Sequence, residues 1–181
     1  MPQRISIVGA TGSGKSVLAR RLSEEWHLPL YELDRIFWDG RGRELPRQQF
    51  IRAVSDLTRR DAWILDGHYR AVRELIWRRA DMVVWLNYPL WLVGFRLLQR
   101  FVRKRRAARC RGATPAYSEH RHDRRLQASP TLGVRLGRLV RTVRERREYG
   151  RLLKAPEYRD VKLVELRSVR ATEVFVRTQC I

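Results

Sequence analysis

Residues Gly9-Ala10-Thr11-Gly12-Ser13-Gly14-Lys15-Ser16 constrain this chain more than any other stretch. A β-branched run, Arg4-Ile5-Ser6-Ile7-Val8, enters the segment, and Leu18, Leu22 and Trp26 leave it at i, i+4 and i+8 of one helix face. Glycines at this density end a strand and let the backbone wrap, so that successive N–H groups point inward. The following helix aims its positive end at the same spot. Strand, G-x-x-x-x-G-K-[ST] turn and helix together make a phosphate-binding loop. Backbone amides from Gly9, Ala10, Thr11, Gly12, Ser13 and Gly14 would cradle phosphate oxygens. Lys15 would bridge the terminal phosphates and Ser16 would ligate Mg²⁺.

The rest of the chain alternates in the same way. Strands are expected near 29–33, 63–65, 82–86 and 161–166, and helices over 48–60, 72–79, 90–106, 132–153 and from about 170. The segment from Arg35 to Pro46, with Gly40 and Gly42, reads as an irregular loop. Repeated strand–helix units predict a five-stranded parallel sheet covered on both faces, a three-layer α/β/α architecture. One domain spanning 1–181 suits the length, with a basic lid-like insert at about 103–130. No repeat or linker divides it.

Charge narrows the partners. The chain carries 39 Lys+Arg against 19 Asp+Glu, a net +20, and residues 91–151 alone hold 18 basic and 4 acidic side chains. Such a block attracts nucleic acid, nucleotide phosphates or an acidic membrane surface. Cys110 and Cys180 form no disulfide framework, and the loop motif begins within ten residues of Met1. A cytoplasmic protein without a signal peptide is the expectation. The longest uncharged stretch, Met82 to Phe95, is broken by Asn87 and Pro89 and falls short of the roughly 20 residues of a membrane span.

Ligands of parallel α/β sheets lie beyond the carboxyl ends of the strands. Asp34 follows strand two and Asp66 follows strand three. Asp66 is suited to hold Mg²⁺ with Ser16, and Asp34 to contact an acceptor hydroxyl as orienter or base. An aspartate at such a position also serves as a turn or helix-cap residue, the plainer role for Asp34. Trp38 lies in the loop where an acceptor would enter and offers a stacking surface. Cys110, His120 and His122 are of metal-ligand type, but no C-x-x-C pair or fourth ligand accompanies them in the sequence.

Trp63-Ile64-Leu65-Asp66-Gly67-His68-Tyr69-Arg70 resembles the Leu-Asp-Gly-Phe-Pro-Arg block of adenylate kinases. The chain as a whole is similar to the adenylate-kinase-related topology modulation proteins of the FlaR type. The matching features are Gly9 to Ser16, Leu30-Tyr31, Leu33-Asp34, Trp38, Pro46-Arg47, the Ile64-to-Tyr69 block, Arg79-Ala80-Asp81 and Leu166-Arg167-Ser168. The resemblance implies a P-loop, nucleoside-monophosphate-kinase-like fold with a helical lid insert, using ATP and Mg²⁺ on a small acceptor. By the same resemblance Arg96 and Arg100, i and i+4 on one helix, would contact the nucleotide from the lid side, and Arg70 would face the acceptor. The pattern departs from the family between Arg111 and Leu152, and from true adenylate kinases at His68-Tyr69. The expected function is a P-loop kinase for a nucleoside, nucleoside monophosphate or similar hydroxyl compound. A nucleic-acid-associated ATPase using the basic 96–151 region and a nucleotide-binding regulator with little turnover are the alternatives.

Overall fold

The computed structural model describes residues 2–38, 43–110, 146–152 and 155–178. In chain order it contains β1 (Arg4–Gly9), α1 (Lys15–Trp26), β2 (Leu30–Glu32), α2 (Leu33–Phe37), α3 (Arg47–Thr58), β3 (Trp63–Asp66), α4 (Arg70–Trp77), β4 (Met82–Leu86) and α5 (Leu90–Cys110). A helix over 146–152, here α6, precedes a 3₁₀ turn at Pro156–Tyr158, β5 (Lys162–Leu166) and α7 (Val169–Thr178). The five strands form one parallel sheet in the order β2-β3-β1-β4-β5. β1, the strand carrying the glycine-rich loop, is therefore central.

Strand alternation sorts the core into two layers. Ile5, Ile7, Ile64, Met82, Val84 and Leu86 pack with Leu18 and Leu22 of α1 and with Phe175 and Val176 of α7. On the opposite face Val8, Trp63, Leu65, Val83 and Trp85 pack with Phe50 and Val54 of α3, Val72 and Trp77 of α4, and Tyr149 of α6. β1, β3 and β4 read as nearly continuous apolar runs because both faces of these strands are covered.

Several boundaries differ from the sequence expectation. The segment after β2 is helical from Leu33 to Phe37 rather than irregular, and Trp38 pairs with Glu44 in an antiparallel bridge. Leu33, fully buried, belongs to this helix and not to the strand, so Asp34 sits in a helical first turn. Burial of Leu33 overrides the strand pattern suggested by its neighbours. α5 runs to Cys110, beyond the expected end near Arg106. Of the helix expected over 132–153, residues 146–152 are described and helical. Most of the lid-like insert, with His120 and His122, lies outside the described residues.

Candidate nucleotide and acceptor site

The loop after β1 is held open by its glycines. Gly9, Gly12 and Gly14 have φ of 152°, 85° and 99°. At Gly12 a Cβ would come within 2.8 Å of Leu97 Cδ2 from α5, so the loop and α5 meet where only glycine fits. Gly14 caps α1 in the left-handed conformation with no side-chain cap, leaving the first amides of α1 to the loop. Ser13 donates its N–H to the Ala10 carbonyl at 3.1 Å and Lys15 Nζ donates to the same oxygen at 3.0 Å. The ammonium is thus folded over the loop it would share with a phosphate.

Asp66 ends β3 in register with Ile7 of β1 and Glu32 of β2. It is 6% exposed, and its Oδ1 is buried with no hydrogen-bond partner among the described residues. Burial raises its pKa, opposed by a hydrogen bond from Ser16 and the positive charge of Lys15, while the charges of Asp34 and Glu32 add to the rise. A buried carboxylate oxygen with no donor, beside a serine hydroxyl, is a fit for a divalent cation. Ser16 and Asp66, the two expected ligands, are the residues that would hold Mg²⁺ here.

Asp34 and Tyr69 form the other side. Tyr69 Oη donates to Asp34 Oδ1 at 2.7 Å. Burial first, then the Asp34 bond and charge, push the Tyr69 hydroxyl far above its usual range, so it stays a donor. Its ring lies 4.6 Å from Phe37 and 5.0 Å from Phe50, centroid to centroid. Trp38 packs edge-on against Phe37 at 5.3 Å, at the rim of this aromatic group. His68 packs on Tyr149 of α6 at 5.0 Å. Gly67, with φ of 132°, lets the loop pass Leu33, whose Cβ would be 2.9 Å from an added methyl.

Arg96 Nη1 donates to the Ser13 carbonyl of the loop at 2.8 Å, with the guanidinium 5.0 Å above the Tyr88 ring. Arg100 lies on α5, one turn on, and its side chain is outside the described set. Arg70 is turned elsewhere. It pairs with Glu148 of α6, which also accepts from Arg73 at 2.8 Å. These two arginines hold the Glu148 pKa low against a smaller effect of burial.

Sequence reasoning passed over two residues that the structure makes prominent. Tyr69 was noted only as a departure from a Phe-Pro pair, and its hydroxyl was the available signal. Arg146 donates to Asn87 Oδ1 at 2.5 Å, to the Asn87 carbonyl at 2.9 Å and to the Tyr88 carbonyl, tying α6 to the end of β4. Nothing in a run of arginines singles it out. Arg79 and Asp81, part of the family-like pattern, are structural. Arg79 binds the Ser55 carbonyl and Thr58 hydroxyl at the end of α3, and Asp81 receives the Gln3 and Arg4 amides.

The fold has close company among solved structures. A shikimate kinase from Acinetobacter baumannii in complex with shikimate aligns over 98% of this chain and 90% of its own, at 18% identity and a TM-score of 0.59. A shikimate kinase from Bacteroides thetaiotaomicron aligns over 99% and 96%, at 13% identity and 0.55. A gluconokinase from Sinorhizobium meliloti 1021 aligns over 99% and 94%, at 15% identity and 0.52. At these identities the likeness concerns architecture. The chain has the α/β P-loop kinase fold. No protein-family model and no curated protein matches it, so the narrower resemblance to topology modulation proteins stays with the motifs that carry it. No helix among the described residues is long and apolar enough to cross a membrane, and none of them cluster as three or more His, Cys, Asp or Glu.

Proposed function

We propose that this protein is an ATP-dependent phosphotransferase that moves the γ-phosphoryl group to a hydroxyl of a small acceptor. The observation that carries this reading is the buried Asp66 carboxylate, hydrogen-bonded to Ser16 and within reach of the charges of both Lys15 and Asp34. Phosphate chemistry on one side and an orientable carboxylate on the other are brought within electrostatic reach. An ATPase without an acceptor has no need of the second half.

In this reading the loop amides and Lys15 bind the phosphates, and Arg96, with Arg100 on the same helix, adds positive charge from the α5 side. Ser16 and Asp66 would hold Mg²⁺, which would supply positive charge to the phosphates. Asp34, aligned by Tyr69, accepts the hydroxyl proton as the acceptor oxygen bonds the γ-phosphorus and the bond to the β-phosphate oxygen breaks. Trp38 offers an apolar edge to the acceptor. Shikimate and gluconate, acceptors implied by the names of fold neighbours, join nucleosides and nucleoside monophosphates as candidates.

The test is an acceptor screen with ATP and Mg²⁺, following ADP release. One acceptor class should stimulate turnover, and Lys15→Ala should abolish it. The +14 carried by residues 91–151 favours the second reading, a nucleic-acid-associated ATPase. Turnover stimulated by DNA and by no small acceptor would select that reading and reject the kinase.

A further inference from the structure

A cavity of about 420 Å³ opens at the carboxyl ends of β4 and β5, lined by Trp85, Asn87, Pro89, Arg146, Arg147 and Arg167. It lies beside the glycine-rich loop, since Gly9 is in register with Leu86, but shares no residue with it. Trp85 belongs to the core layer beneath α3, α4 and α6. Glu165 is in register with Trp85, and Arg167 lies two residues farther along, so it shares that face. The loop leads instead into α1, which packs on the opposite layer.

Among the described residues, arginines outnumber carboxylates at this cavity. Arg167 takes both Glu165 oxygens at 2.9 Å, and Asn87 donates to the same carboxylate at 2.5 Å. Arg146 meets the uncharged acceptors of Asn87 and Tyr88, and burial lowers its pKa against the opposing charge of Glu165. Arg147 is exposed at the rim. Glu148, the next residue of α6, turns away to Arg70 and Arg73. Among the described residues, three guanidiniums therefore line the cavity, with Glu165 paired to Arg167 at its edge, beside an indole and a proline ring. Planar guanidiniums recognise carboxylates and phosphates through paired N–H groups.

We propose that this cavity is a second anion site, taking a small organic anion of two or more charges. Its carboxylate or phosphoryl oxygens bridge Arg146, Arg147 and Arg167 while its body lies on Trp85 and Pro89. The volume falls within the range of small-molecule sites. The proposal stands apart from the kinase reading, because none of its lining residues is used there in phosphoryl transfer.

Calorimetric titration of the full chain with citrate and with pyrophosphate tests it. Arg146 is left intact because it ties α6 to β4. Lys15→Ala should retain binding of at least one anion, and Arg147→Glu with Arg167→Glu should weaken that binding at least tenfold. The matched pair Arg52→Glu with Arg103→Glu, exposed arginines elsewhere, should leave it within about twofold, which separates a site from general basic charge. Citrate alone would assign a carboxylate ligand, pyrophosphate alone a phosphoryl ligand, and both the shared chemistry. Loss of all binding in Lys15→Ala, an equal loss in the matched pair, or no binding of either probe would overturn the proposal. An acceptor screen that fails while Lys15→Ala still binds citrate would reject the kinase reading and leave this site standing.

Discussion

Tyr69 shows how one hydroxyl changes what a neighbouring carboxylate can do. Its bond to Asp34 is 2.7 Å long and its ring is wedged between Phe37 and Phe50. Tyr69→Phe keeps the ring and removes the donor. A hydrogen bond to a charged group contributes about 1.5–3 kcal/mol, so acceptor turnover should fall roughly tenfold or more. Nucleotide affinity should not change, since the loop amides and Lys15 are untouched. Steady-state turnover and a nucleotide titration on the same variant separate the two effects. An equal loss in both would show that Tyr69 supports the fold rather than Asp34.

The elements meet at positions where no side chain fits. Gly67 joins β3 to the segment before α4, with φ of 132° and the Cβ of Leu33 2.9 Å from the place an added methyl would take. Gly67→Ala should destabilise the fold by about 1–3 kcal/mol, from the unfavourable backbone region and from displacement of α2. Because α2 carries Asp34, the variant should also lose acceptor turnover beyond the effect on stability. Denaturation midpoints and turnover well below the transition check both. The α2 helix was not legible from the sequence, since its five residues follow a β-branched-poor strand pattern and are decided by burial of Leu33. β1, β3 and β4 were legible because strands covered on both faces have to be apolar throughout.

At the scale of the molecule, chemistry gathers at the carboxyl ends of the strands, and a stabilising anchor lies at the other ends. Asp81, just before β4, accepts the amides of Gln3 and Arg4 and pairs with the Arg4 guanidinium at 2.6 Å. Burial pushes its pKa up, but the Arg4 side chain and the two amides outweigh this and hold it low. A carboxylate depressed in the folded state adds stability above its unfolded pKa and loses it as pH falls through the folded value. With partners this exposed, Asp81→Asn should cost about 1 kcal/mol near neutral pH. The gap to the parent protein should close below about pH 4, the ordinary carboxylate range. Urea denaturation across that range measures it, and a gap that stays constant in acid would assign the loss to backbone contacts alone.

The phosphate-binding loop and the alternation of strands and helices were readable along the chain. They rest on local patterns, glycine spacing and apolar periodicity, which neighbouring residues determine. The partners of Arg70, Arg96 and Arg146 were not readable. An arginine in a basic run has no local preference for an acceptor, and the parallel crossovers bring Glu148, the Ser13 carbonyl and the Asn87 carbonyl to them from 78, 83 and 59 residues away. Sequence alone determined that the chain builds a cradle for phosphate. Only the tertiary structure decided, among the described residues, which arginines reach that loop, which tie α6 in place and which line a cavity at the ends of β4 and β5, because long-range packing assigns partners that charge alone does not distinguish.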